Sequence, residues 1–110
     1  RCGAPQPEIA VLCWGSTAGA VREAVGQAQQ EGIAAGALAV KLLSPLPEAT
    51  IQEFVASART VLVPEVNYTG QLAHLLRATL GLEAQSITRY GGVPFTSSEV
   101  LAEIKGARDV

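Results

Sequence analysis

The chain has 110 residues and a mass of 11.4 kDa, enough for one hydrophobic core and too little for two. Hydrophobic residues make up 48% of it and charged residues only 16%, with a mean hydropathy of +0.26, a balance that favours a folded core over disorder. The net charge of −2 and the 5% of aromatic residues argue against a nucleic-acid partner, which needs a basic field and stacking platforms. The longest uncharged run, residues 9–21, falls short of the roughly 20 apolar residues of a membrane span.

Residues 1–7 hold Gly3, Pro5 and Pro7 and read as a leader, with a single domain expected over 8–110. Position 1 is Arg and the chain has no methionine, so a piece of a longer polypeptide is expected. No apolar stretch with a cleavage site follows Arg1, which argues against a signal peptide. Residues 9–14, an unbroken apolar run, suit a strand covered on both faces. After Gly15-Ser16-Thr17, residues 18–30 place Val21, Ala24, Val25 and Ala28 on one helical face, and Gly32 suits the C-terminal cap. A second apolar run over 37–43 leads through Ser44-Pro45-Leu46-Pro47 into a helix with Ile51, Phe54, Val55 and Ala58 inward. Residues 60–63 suit a third strand, stopped by Pro64. Asn67 or Thr69 caps a helix with Leu72, Leu75, Leu76 and Leu80 inward, which Gly81 ends. Residues 84–88 suit a fourth strand, and Thr96-Ser97-Ser98-Glu99 is a capping box that opens a last helix through Lys105. Strands alternating with helical crossovers predict an α/β fold, a mostly parallel sheet between helical layers. Strand order cannot be read at this level.

Ligands of such sheets bind outside the carboxyl ends of the strands, so the candidates are the segments leaving that edge. Gly15, Ser16 and Thr17 enter a helix N-terminus, yet they form neither a dinucleotide fingerprint nor a Walker A loop, and a tight turn with a capping hydroxyl accounts for them. Glu65, with Asn67, Tyr68, Gly70 and Gln71, is the densest polar cluster. It has no second carboxylate beside it, and His74 with Arg77 suits a solvated or interface-facing helix face. Gly15-Ser16-Thr17 also lacks the second glycine of a nucleophile elbow. No catalytic residue and no metal site is nominated. Cys2 and Cys13 form no CxxC; Cys13 suits a buried structural thiol, and a reducing cytoplasm fits two unpaired cysteines.

Three strings, Trp14-Gly15-Ser16-Thr17-Ala18-Gly19-Ala20-Val21-Arg22-Glu23-Ala24, Leu43-Ser44-Pro45-Leu46-Pro47 and Glu65-Val66-Asn67-Tyr68-Thr69-Gly70-Gln71-Leu72, together with the loop Tyr90-Gly91-Gly92-Val93-Pro94-Phe95, resemble one family in order and spacing. It is the C-terminal domain of the alpha subunit of 2-oxoacid:ferredoxin oxidoreductases, the 2-oxoglutarate type in particular. Val66 and Pro64 depart from its usual residues and bracket Glu65. The resemblance implies a transketolase C-terminal-like three-layer α/β/α sandwich with an antiparallel edge strand ahead of the first parallel one. A start at Arg1 is late for that strand, whose loss would leave an edge exposed. The implied parent uses thiamine diphosphate, Mg and iron–sulfur clusters to convert a 2-oxoacid and CoA to acyl-CoA and CO2 while reducing ferredoxin. Its implied partners are the preceding domains of the same alpha subunit and a thiamine-diphosphate-binding beta subunit. Nothing in the chain resembles the diphosphate- and metal-binding motif or the cluster cysteines, so no cofactor is expected in this piece, whose implied role is assembly and a wall near the CoA or substrate entrance. The alternatives are a transketolase or 2-oxoacid dehydrogenase E1 equivalent, and a stand-alone flavodoxin-like or nucleotide-binding module using Gly15, Ser16 and Thr17.

Overall fold

In the computed structural model, residues 2–4, 6–13, 18–39, 48–65, 77–78, 81, 84–88 and 95–108 are described. They form β1 (Cys2–Gly3), β2 (Ile9–Cys13), α1 (Ala18–Gln30), β3 (Ala35–Ala39), α2 (Glu48–Val55), β4 (Thr60–Glu65), β5 (Gln85–Thr88) and α3 (Ser97–Arg108). The five strands make one sheet in the order β1-β3-β2-β4-β5, parallel except for β1, which runs antiparallel on β3 with Cys2 opposite Ala37 and Gly3 opposite Gly36.

Side-chain alternation splits the interior into two cores. Ile9, Val11 and Cys13 of β2 pack with Leu62 and with Val21, Ala24, Val25, Val100 and Ile104 of α1 and α3. Ala10 and Leu12 pack on the other face with Val61, Val63 and the Ile51 and Phe54 of α2. All five residues of β2 are buried, as its unbroken apolar run predicts for a strand between two helical layers. This is the expected α/β/α sandwich.

Two helix ends follow their sequence signals closely. At Gly32 (φ +83°), the Gly32 N–H donates to Gln29 O and the Ile33 N–H to Ala28 O, both at 3.0 Å, which is a Schellman cap with Ile33 and Ala28 in the same core. At the start of α3, the Thr96 N–H donates to Glu99 Oε1 (3.0 Å) and the Glu99 N–H to Thr96 Oγ1 (3.2 Å), the reciprocal pair of a capping box. The helix runs to Arg108, past the expected Lys105. Gly81 (φ +66°) donates its N–H to Arg77 O at 3.0 Å, as expected of a helix-ending glycine; the leucine stripe expected before it lies outside the described residues.

Three expectations are corrected. The antiparallel edge strand is present: it is β1, inside the segment read as a leader. A two-residue strand among prolines has no periodicity to display. The second strand spans Ala35–Ala39, two residues earlier at its start than expected, because Gly36 reads locally as a breaker although the sheet needs its missing side chain. A Cβ there would lie 2.7 Å from Ala4 O and 3.3 Å from Phe54 Cζ. Pro64 does not stop β4. Register with β2 ends at Leu62, so the missing N–H falls beyond that ladder, while β5 continues to pair through Pro64–Ile87 and Glu65–Thr88.

Candidate functional site

The carboxyl ends of the four parallel strands lie along one edge, with Cys13 opposite Ala39 and Glu65 opposite Thr88. From β2 the chain moves to β3 on one side, whereas from β4 it moves to β5 on the other. The connections therefore diverge between β2 and β4, and a crevice at that point is where doubly wound sheets receive ligands. Of the nominated residues, Gly15, Ser16 and Thr17 follow β2 in sequence, and Asn67, Tyr68, Gly70 and Gln71 follow β4. These lie outside the described residues, as do residues 44–47 and 90–94. Glu65 is placed by its backbone as the last residue of β4, beside Thr88 of β5. The topology thus assigns the two most specific segments to strands flanking one switch point, which no local pattern reveals.

The floor of this edge is described. Two contacts show that α3 runs back from the carboxyl edge: the Arg59 guanidinium, just before β4, donates to Arg108 O at 2.9 Å, and Lys105 Nζ lies 3.0 Å from Glu31 Oε1 beyond the end of α1. Phe95 and the Thr96 cap consequently sit at the carboxyl edge. Phe95 is 7% exposed and shares a core with Val100, so the residue before the cap and the fourth helical residue form a hydrophobic staple. From the sequence alone Phe95 reads as the end of the Tyr90-Gly91-Gly92-Val93-Pro94-Phe95 loop. Its position directly before Thr96-Ser97-Ser98-Glu99 was the available signal.

Chemically this floor is plain. Cys13, at the end of β2, is 2% exposed and its thiol points at Leu38 O, 3.8 Å away, consistent with the structural role expected from its apolar run. Among the described residues no group of three or more His, Cys, Asp or Glu comes together. The described residues do not fit magnesium or an iron–sulfur cluster. No helix among them is long and apolar enough to cross a membrane.

A family model described as pyruvate:ferredoxin oxidoreductase core domain II matches residues 7–100. The chain belongs to that family. The 2-oxoacid:ferredoxin oxidoreductase 2 subunit alpha of Aeropyrum pernix is 34% identical to this core domain II over 104 residues, 94% of this chain and 16% of that protein. A 2-oxoglutarate:ferredoxin oxidoreductase structure from Magnetococcus marinus, with 2-oxoglutarate, coenzyme A and succinyl-CoA bound, superposes with a TM-score of 0.89 at 37% identity. The match covers 96% of this chain and 18% of that one. The chain therefore spans less than a fifth of the length of either protein. A split-gene transketolase matches with a TM-score of 0.73 at 17% identity over 93% of this chain and supports the transketolase-like fold alone. Among the readings left open by the residues, core domain II membership selects the ferredoxin-dependent branch over a transketolase equivalent or a nucleotide-binding module.

Proposed function

We propose that this chain is an assembly domain in the alpha subunit of a 2-oxoacid:ferredoxin oxidoreductase of the 2-oxoglutarate type, part of a longer polypeptide in the cytoplasm. The observation that carries this is the superposition, over 96% of the chain at 37% identity, on an enzyme with 2-oxoglutarate, coenzyme A and succinyl-CoA bound. The enzyme would convert 2-oxoglutarate and CoA to succinyl-CoA and CO2, with the two electrons released passing to ferredoxin. Thiamine diphosphate, magnesium and the iron–sulfur cluster would be held by the other domains and by a beta subunit. This chain would contribute the carboxyl edge of its sheet. Gly15, Ser16 and Thr17, which follow β2 in sequence, Glu65 at the end of β4, and Asn67, Tyr68, Gly70 and Gln71, which follow it in sequence, would meet the neighbouring domains and border the CoA or substrate entrance. No chemical step is assigned to these residues.

The natural polypeptide carrying this domain, recovered with its bound partners from source cells, should reduce methyl viologen when given both 2-oxoglutarate and CoA. Absence of reduction with any 2-oxoacid would sink the reading. In that complex Glu65→Ala should lower subunit association or CoA-dependent turnover more than decarboxylation of the 2-oxoacid without CoA. If decarboxylation fell first, Glu65 would belong to the chemistry and not to the edge.

A further inference from the structure

β2 and β4 flank the switch point, yet their mutual pairing stops short of the carboxyl edge. β3 stays paired with β2 as far as Ala39–Cys13, and β5 with β4 as far as Thr88–Glu65, but β2 and β4 pair no further than Val11–Leu62. The direction of the peptide groups gives the reason. The Ile9 N–H donates to Ala34 O (3.2 Å), towards β3, and Glu8 O accepts the Thr60 N–H (3.3 Å), towards β4. Peptide groups of a parallel strand turn alternately to the strands on either side, so those of Ala10 and Leu12 face β4. The donor due at Leu12 O is therefore the N–H of residue 64, and Pro64 has none. Side-chain packing does not open there, since Leu12 and Val63 are fully buried together against α2. Only the lacing is missing, through the chemistry of one residue.

The segments that follow these strands in sequence differ in what they can bind. Residues 15–17 and 65–71 carry hydroxyls, amides and the Glu65 carboxylate, with no Lys, Arg or His among them, and the Glu99 carboxylate of the Thr96 cap lies at the same edge. A dicarboxylate such as 2-oxoglutarate calls for cations. The pantetheine arm of CoA is uncharged, and its amides pair with hydroxyls and amides. The inference rests on the reading above of the chain as part of a CoA-dependent enzyme. We propose that Pro64 is a positioning residue for the pantetheine arm of CoA: by withholding the N–H that would lace β4 to Leu12 O, it keeps the segments after β2 and β4 apart where the arm passes between them.

The natural polypeptide with its bound partners, assayed by methyl viologen reduction, tests this. Pro64→Val supplies the N–H on a residue suited to a strand. It should raise the KM for CoA by about five-fold or more, with kcat and the KM for 2-oxoglutarate within about two-fold of wild type. The amide introduced at position 64 should exchange with solvent about ten-fold or more slowly than an unbonded one, as a ladder extended to Leu12 O requires. An unchanged KM for CoA, an unprotected amide, or a kcat that falls in step with the rise in KM would each overturn the proposal. The wild-type complex supplies a test that needs no variant to assemble. Pantetheine, which lacks the nucleotide of CoA, should slow amide exchange over residues 12–17 and 63–71 and leave α2 unchanged. Protection by CoA but not by pantetheine, or by neither, would also overturn it. A wild-type complex inactive with every 2-oxoacid would instead sink the enzyme reading, and this proposal with it.

Discussion

Gly36→Ala opposes two effects of comparable size, and the geometry decides the sign. Replacing a strand glycine by alanine ordinarily stabilises by about 0.5–1 kcal/mol, because the unfolded chain loses freedom. Here the new methyl group would lie 2.7 Å from Ala4 O, a backbone atom in a strap whose N–H is bonded to Ala35 O. It would also press on Pro7 Cβ at 3.2 Å and on the fully buried Phe54, and overpacking of this kind costs about 1–3 kcal/mol. The net loss should be about 1–2 kcal/mol. With unfolding entropy near 2.1 cal/mol/K per residue, 110 residues give about 4 °C of Tm per kcal/mol. Gly36→Ala should therefore melt about 4–8 °C below wild type by circular dichroism or calorimetry. Gly26→Ala, exposed in the middle of α1 with nothing within 4 Å, should melt about 2–4 °C above it. A Gly36→Ala protein melting at or above wild type would refute the strap's close contact with β3.

The remaining expectations need only the isolated chain. Thr96→Ala removes the side-chain oxygen that accepts the Glu99 N–H, and urea titration should show a loss of about 1 kcal/mol with an unchanged m-value; no loss would mean that the staple alone fixes α3. Cys13 should be inert to a thiol reagent in the native chain and react fully in denaturant, since it is 2% exposed; prompt native labelling of Cys13, mapped by mass spectrometry, would place the end of β2 at the surface. Glu8→Gln breaks a pair whose side chains are 62% and 39% exposed, with Arg59 Nε 3.4 Å from Glu8 Oε1. Its effect should stay below about 0.5 kcal/mol and fade in salt, and a salt-insensitive loss above 1 kcal/mol would show that the pair is desolvated.

What the sequence discloses follows the range of the interaction. The Schellman glycine, the capping box and the inward face of α1 are written within a few residues of one another, and all three appear where the pattern puts them. Val55 and Ala58, expected to face inward, are only partly buried at the rim of the α2 core, because helix α2 stops at Val55. The strand at Cys2–Gly3 and the tolerance of Pro64 depend on which strand lies alongside, at separations of more than 20 residues, and such neighbours leave no local mark. The same holds for the candidate site. Glu65 is legible as the end of a strand, but the switch point between β2 and β4 follows from strand order. Phe95 was legible only in combination with the cap beside it.

The two cores give β2 an evolutionary consequence. Adjacent residues of this strand answer to different neighbours: Val11 to α1 and α3, Leu12 to Ile51 and Phe54. A volume change at Val11 can be met by compensation at Ile104 without disturbing the α2 layer, because the sheet backbone stands between them. Each chamber can drift at its own pace, and a lineage can rebuild the layer that touches a new subunit while the other keeps its shape.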